Sequence, residues 1–345
     1  MTSSSAEILE ASAHVAEHIL RPHASVIDQS KTLPPGHLAA LRDAGLFAVV
    51  AADAPLPLIF DVGETLVASC LSTGFVWAQH QGAILRVMRA PRDIREQWLP
   101  QLLSGEVLAG ITYAGLPSHG GSLRASRTSN GDLLITGEAR FVTSWPWIGL
   151  LIAWAYEPNS EVVHAVAIPN PRDLTSSVTE LPLIAANASS TVAIEIDQPG
   201  WHIPTRQIMS TIPADQARTT PVAAARSNAT LALGLLAGIA SDLSAHDPIA
   251  AGTVADTRTR LRNRLDQIAS TTANLDEMTS TRAALLSHTM DAATTLYRSA
   301  GSAATIATST PARRLREAAF IQSAATTRAE RALANKSQAT NAATA

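Results

Sequence analysis

The apolar positions of this chain change period twice. Over roughly the first hundred residues they recur at helical spacing. In SSSAEILEASAHVAEHIL the serines cap a helix, and Ile8, Ala11, Val15 and Ile19 share one face. PPGHLAALRDAGLF opens on proline and stops at Gly45, a second helix. DVGETLVASCLSTGFVWAQHQGAILRVM is apolar and rich in small residues, which predicts a buried helix broken near Gly74 or Gly82. PRDIREQWLPQLLSG predicts another, from Pro91 to Gly105. The period then shortens to two. VLAGITYA, LRASRTSN, LLITGEARFVTS, GLLIAWAYE, VVHAVAIP and TVAIEIDQ are strand-like runs between Gly, Asn-Gly and Pro turns, and SNGD at 129–132 marks a hairpin. From about residue 213 helical spacing returns, and the polar tail KSQATNAATA is expected to fray. The pattern predicts an α+β chain with a helical part at 1–106, a β part at 107–212 and a helical bundle at 213–345.

Composition narrows the function. A net charge of −3 argues against a nucleic-acid binder, which would need a basic face to neutralise phosphates. The single cysteine, Cys70, excludes an intrachain disulfide and suits the cytoplasm. The N-terminus carries acids and reads as no secretory signal, and the runs IGLLIAWAY and LALGLLAGIA are shorter than a membrane span, so no membrane partner is expected. HVAEH places His14 and His18 on one helix face, but no third ligand accompanies them, and no metal site is expected. Ser118 lacks the Gly-x-Ser-x-Gly setting of a hydrolase nucleophile, and no Walker or dinucleotide-fold glycine motif occurs.

Aromatics make up only 4% of the chain, yet FVTSWPWIGLLIAWA sets two of six tryptophans around one proline. A strand end carrying an aromatic, a β-branched spacer and hydroxyls can wall a flat ligand or simply cap a core. The flanking stretches bear on that choice. REQWLPQLLSGEVLAGITYAGLPSHGGSL, NGDLLITGEARFVTS and STPARRLREAAFIQSAATTRAERAL resemble, in this order, segments of the acyl-CoA dehydrogenase superfamily of flavoproteins.

The resemblance implies an N-terminal helical domain, a β-barrel-like centre and a C-terminal four-helix bundle that pairs chains into a homodimer or homotetramer. It sets Thr112, Gly121, Ser122, Phe141, Val142, Thr143 and Thr327 against FAD, with FMN or reduced flavin from a partner reductase as variants. Trp77, Trp145 and Trp147 would wall a small-molecule or carrier-bound acyl substrate. The family's proton-abstracting glutamate aligns with Ala325, and alanine takes no proton. His80 and His119 are then the candidate bases, with His288 a third. The family's Arg-x-x-Phe-Gly diphosphate segment is missing, and the glycine-rich turn survives only around Gly301. Arg258, Arg260, Arg262 and Arg264 offer replacement charge or line a solvated helix face. Three functions follow: a flavin oxidoreductase acting beside a carbonyl or thioester, a two-component reduced-flavin monooxygenase, or a flavin-free member that binds or shapes its substrate.

Overall fold

The computed structural model describes residues 4–51, 56–218, 221–271, 274–324 and 326–344. Helix α1 (Ser5–Val15) begins in a capping box: the Glu7 N–H donates to the Ser4 hydroxyl at 3.3 Å, and the Ser4 N–H donates to the Glu7 carboxylate at 2.7 Å. The chain continues through wider and tighter helical turns into α2 (Ala24–Gln29). Then follow α3 (Pro35–Asp43), α4 (Leu56–Ser69), α5 (Leu71–Val87) and α6 (Arg92–Ser104). The break in the long apolar stretch falls at Cys70, whose backbone is extended (φ −149°, ψ 108°), and both glycines expected to break it lie inside α5. Gly74 serves close approach instead. A Cβ there would lie 2.6 Å from Val67 Cγ2 and 2.8 Å from the Val67 nitrogen, so only glycine lets α5 fold back along α4.

The middle of the chain is one eight-stranded sheet: β1 (Leu108–Thr112), β2 (Leu123–Arg127), β3 (Leu133–Val142), β4 (Ile148–Glu157), β5 (Val162–Pro169), β6 (Ser177–Glu180), β7 (Val192–Ile203) and β8 (Ile208–Pro213). The order is β6-β7-β3-β2-β4-β5-β8, with β1 parallel to β4 and β2–β3 the hairpin closed at Asn130-Gly131. Alternation along β1 and β4 divides two cores. Ala109, Ile111, Leu150 and Ile152 pack against the N-terminal helices, while Leu151, Ala153 and Ala155 fill the inner side of the sheet.

Among the described residues five C-terminal helices follow: α7 (Val222–Leu243), α8 (Pro248–Ser270), α9 (Leu275–Ser299), α10 (Thr310–Ile321) and α11 (Arg328–Thr344). The expected bundle of four thus has a fifth member, and the tail expected to fray is helical through Thr344. By length and composition the stretch containing α7 could cross a membrane; 67% of that window is buried within the protein, where α7 packs against α4, α8, α9 and α10. The Arg316-Glu317-Ala318 segment ties this bundle to the N-terminal helices. Glu317 accepts from Arg313 at 3.1 Å and Arg314 at 3.0 Å, and Arg314 also donates to Asp242 at 2.7 Å and the Ala68 carbonyl at 2.6 Å. Arg316 pairs with Asp28 of α2 and donates to the Ala307 carbonyl at 2.9 Å. Charges this deeply buried stay ionised only because each is met by an opposite charge or a carbonyl.

Candidate functional site

The ends of β1 and β3 and the loop between β1 and β2 meet at one edge of the sheet. Ser122 Oγ donates to the Glu138 carbonyl at 2.7 Å, and the Gly110 position abuts the Thr143 carbonyl. At this edge β3 ends in strained backbone, with Phe141 (φ 62°) and Ser144 (φ 69°) both left-handed, a costly conformation for a bulky residue. Phe141 is 63% exposed. Its neighbours turn the other way. Val142 is buried, and Thr143 Oγ1 sits 3.3 Å from Thr191 Oγ1, which in turn lies 2.9 Å from Ser189 Oγ. Thr112 is buried as well, its hydroxyl accepting the Ala114 N–H at 3.3 Å. Of the expected ring contacts, then, Phe141 and Ser122 lie at the surface, whereas Gly121 is buried and Thr112, Val142 and Thr143 face inward. The expectation that Phe141 and Thr143 share a face is corrected: the left-handed turn at Phe141 breaks strand alternation there.

The tryptophans also separate. Trp145 packs against the inner core of the sheet and Trp147 against the core shared with the N-terminal helices, so the turn between them sends the two rings to opposite sides. Trp77 is 1% exposed, and its indole N–H donates to the Leu46 carbonyl at 2.7 Å. It fills the interior where a substrate wall was expected, packing beside Gly63.

His80 is sealed in the same way. Nε2 donates to the Leu102 carbonyl at 2.9 Å, Nδ1 accepts the Ala109 N–H at 3.0 Å, and burial lowers the pKa to about 4. Both ring nitrogens being engaged, it has no lone pair for a substrate proton, so the expected base here is a fastener between α5, α6 and β1. His119 is exposed, stacked on Tyr113 at 5.7 Å, with Nδ1 3.1 Å from Ser118 Oγ and its pKa lowered by burial of its inner face. His288 is exposed on α9, and the exposed rings of His14 on α1 and His18 in the turn after it lie 4.8 Å apart, tilted by 49°. The described residues hold no group of three or more metal-ligating side chains.

A flavin dinucleotide needs a wall for its ring and cationic donors for its diphosphate. The exposed Phe141 and the open glycine loop fit the ring half. The diphosphate half does not fit, because the arginines of α8 are already committed. Arg258 pairs with Glu64 and donates to the Leu233 carbonyl at 3.0 Å; Arg262 pairs with Asp61 and lies 3.5 Å from Glu64; Arg264 pairs with Glu277. Arg226 completes the cluster, 2.6 Å from Asp266, 3.4 Å from Glu64 and 4.2 Å above the Phe60 ring. Only the exposed Arg260 lacks a carboxylate among the described residues. Thr327, expected at the cofactor, caps α11 instead: it accepts the Glu330 N–H at 3.2 Å, while Glu330 accepts the Thr327 N–H at 2.7 Å. Ala325 lies outside the described residues. An open groove of about 900 Å³ runs between α8 and α9, but its lining includes no residue of the sheet.

One cluster escaped the sequence reading. Tyr113, Trp154 and His119 form nearly parallel tiers, at 5.1 Å and 5.7 Å, with the Arg86 guanidinium 5.0 Å from the Trp154 ring and 5.4 Å from Tyr113. The available signal was scarcity, since Tyr113 is one of only three tyrosines.

No family model matches the chain, and no curated protein matches it in sequence. Solved structures do. Butyryl-CoA dehydrogenase from Megasphaera elsdenii superposes with a TM-score of 0.83 at 12% identity, covering 98% of this chain and 99% of that one. Glutaryl-CoA dehydrogenase from Mycobacterium smegmatis, in complex with FADH2, gives 0.80 at 13% identity over 99% and 95%. Dibenzothiophene monooxygenase from a Paenibacillus species gives 0.73 at 14% identity over 91% and 92%. The chain therefore has the acyl-CoA dehydrogenase fold. At such identities the likeness is one of architecture.

Proposed function

We propose that this chain is a flavin-using oxidoreductase that takes its flavin by the ring, at the sheet edge around Phe141, and works on a carbonyl- or acyl-activated substrate in the cytoplasm. The observation that carries the reading is Phe141 itself: a bulky side chain in left-handed backbone, with its ring in solvent. Exposing a phenylalanine and straining its backbone both cost free energy, and a planar partner stacking on the ring recovers part of that cost. A flavin there supplies two-electron redox chemistry; the chain supplies the aromatic wall and the closed interior behind it.

The engaged arginines of α8 favour a flavin that exchanges, delivered by a reductase, over one gripped through its diphosphate. Titration of the purified chain with riboflavin, FMN and FAD, oxidised and anaerobically reduced, tests this. Binding of at least one redox form, with riboflavin within about tenfold of FAD and strong weakening in Phe141→Ala, is expected, since one decade corresponds to about 1.4 kcal/mol. No spectral change with any flavin in either state removes the assignment. FAD binding a thousandfold tighter than riboflavin removes the exchange reading alone.

A further inference from the structure

We propose that Thr211, His164 and Glu157 form an acyl-accepting site at the edge of the sheet, with the Thr211 hydroxyl as nucleophile toward an activated ester or thioester. The three side chains stand in a row across β8, β5 and β4. Thr211 lies opposite His164 in the β5–β8 register, His164 lies opposite Ala155 in the β4–β5 register, and Glu157 follows Ala155 on the same face of β4. His164 Nδ1 is 2.8 Å from Thr211 Oγ1, and Nε2 is 2.8 Å from Glu157 Oε2. Glu157 and His164 are buried, whereas Thr211 is exposed. Acid, imidazole and hydroxyl thus run in order from the interior to the surface, the arrangement that activates a hydroxyl as a nucleophile.

The proton positions follow from the partners. Burial pushes the Glu157 pKa up, but the His164 hydrogen bond and the Arg127 guanidinium, 3.4 Å away, outweigh burial and hold it below the ordinary value. An ionised carboxylate only accepts, so Nε2 carries the ring proton and, in neutral His164, Nδ1 accepts from the Thr211 hydroxyl. The backbone adds a donor at the same residue. The Ala214 N–H donates to the Glu161 carbonyl at 2.8 Å, and alternation from there makes His164 and Thr211 a pair without ladder bonds. The Thr211 N–H therefore points away from β5. Because β8 ends the sheet, no strand among the described residues covers that side, and the N–H is left to donate to the oxygen of an attacked carbonyl. The step balances. Thr211 Oγ1 bonds to the carbonyl carbon, the bond to the leaving oxygen or sulfur breaks with its electron pair, and the hydroxyl proton passes through His164 to the leaving group.

This chemistry involves no flavin and is tested without one. The full chain is mixed with p-nitrophenyl acetate, nitrophenolate release is followed by absorbance, and acid-quenched peptides are read by mass spectrometry. Release is expected to be at least about tenfold faster in wild type than in Thr211→Val, which keeps the β-branched shape, with an acetyl group on the peptide holding Thr211. Thr211→Ser is expected to keep the reaction, and His164→Gln to slow it about as much as Thr211→Val. Glu157 acts through His164, as a positioning residue; Glu157→Gln is expected to slow release about tenfold and Glu157→Asp to recover part of it. Circular dichroism establishes that each variant is folded. Should the buried His164 and Glu157 variants not fold, the exposed Thr211 variants and the acetylated peptide decide. Equal release by wild type and folded Thr211→Val, acetyl groups confined to other residues, or undiminished release in folded Glu157→Gln overturns the proposal.

Discussion

His80 accepts the backbone N–H of Ala109 at 3.0 Å, and that bond ties helix α5 to the first strand of the sheet. It requires a neutral ring, because Nδ1 must be bare while Nε2 keeps its proton for Leu102. The folded pKa, about 4, lies below the ordinary 6.5, so between these values the unfolded chain binds the additional proton. The stability that this histidine contributes is therefore complete above pH 6.5 and drains away as the pH falls towards 4. It amounts to about 3 kcal/mol over the whole window. Urea unfolding of wild type and His80→Gln from pH 7.5 to 4.5 is expected to show a shallower acid loss in the variant. Identical slopes would mean that His80 does not titrate with unfolding. His37, also lowered to about 4 by burial and by the nearby His23, contributes to the same limb in both proteins.

Trp77 tests packing against function. It is sealed in the core with its indole N–H bonded, so Trp77→Ala is expected to destabilise by about 3–5 kcal/mol in chemical denaturation. A loss below about 1 kcal/mol would return Trp77 to a pocket wall, since truncating a half-empty site leaves little new cavity.

Glu64 is buried beneath Arg226, Arg258 and Arg262. Burial raises its pKa while the three guanidiniums oppose that rise, so the carboxylate and the arginines sustain each other. Glu64→Gln is expected to cost about 3–5 kcal/mol, because it strands positive charge in the interior. Adding Arg258→Met should recover part of the loss, making the pair less than additive. Strict additivity in a double-mutant cycle would deny the coupling.

Thr327→Ala removes a helix cap and is expected to cost about 1 kcal/mol while leaving any flavin affinity unchanged. Tenfold weaker flavin binding at unaltered stability would restore Thr327 to the cofactor.

Much of the architecture was legible because period reports burial. Helical spacing in the first hundred residues, alternation in the middle and helical spacing again towards the end match the helix–sheet–helix order, and the six strand-like runs fall on β1–β5 and β7, whereas α2, β6 and β8 carried no such signal. The break in the apolar helix was misread, since Gly74 is as suited to close packing as to a bend, and only the position of Val67 distinguishes the two. The candidate site was far less legible. Phe141 was flagged by a motif and is exposed, whereas Thr143, two residues on, was flagged by the same motif and faces inward.

Sequence alone determined the helix–strand–helix order and the run of matches that points to the acyl-CoA dehydrogenase fold, because these depend on local spacing and residue type. Tertiary structure alone decided what each polar group does. Whether Arg262 meets a phosphate or Asp61, whether His80 holds a proton for a substrate or for the Leu102 carbonyl, and whether Arg86 has any carboxylate at all depend on partners far away in the chain. A side chain's chemistry is set by the group that faces it, and that group is chosen when the helices close on the sheet.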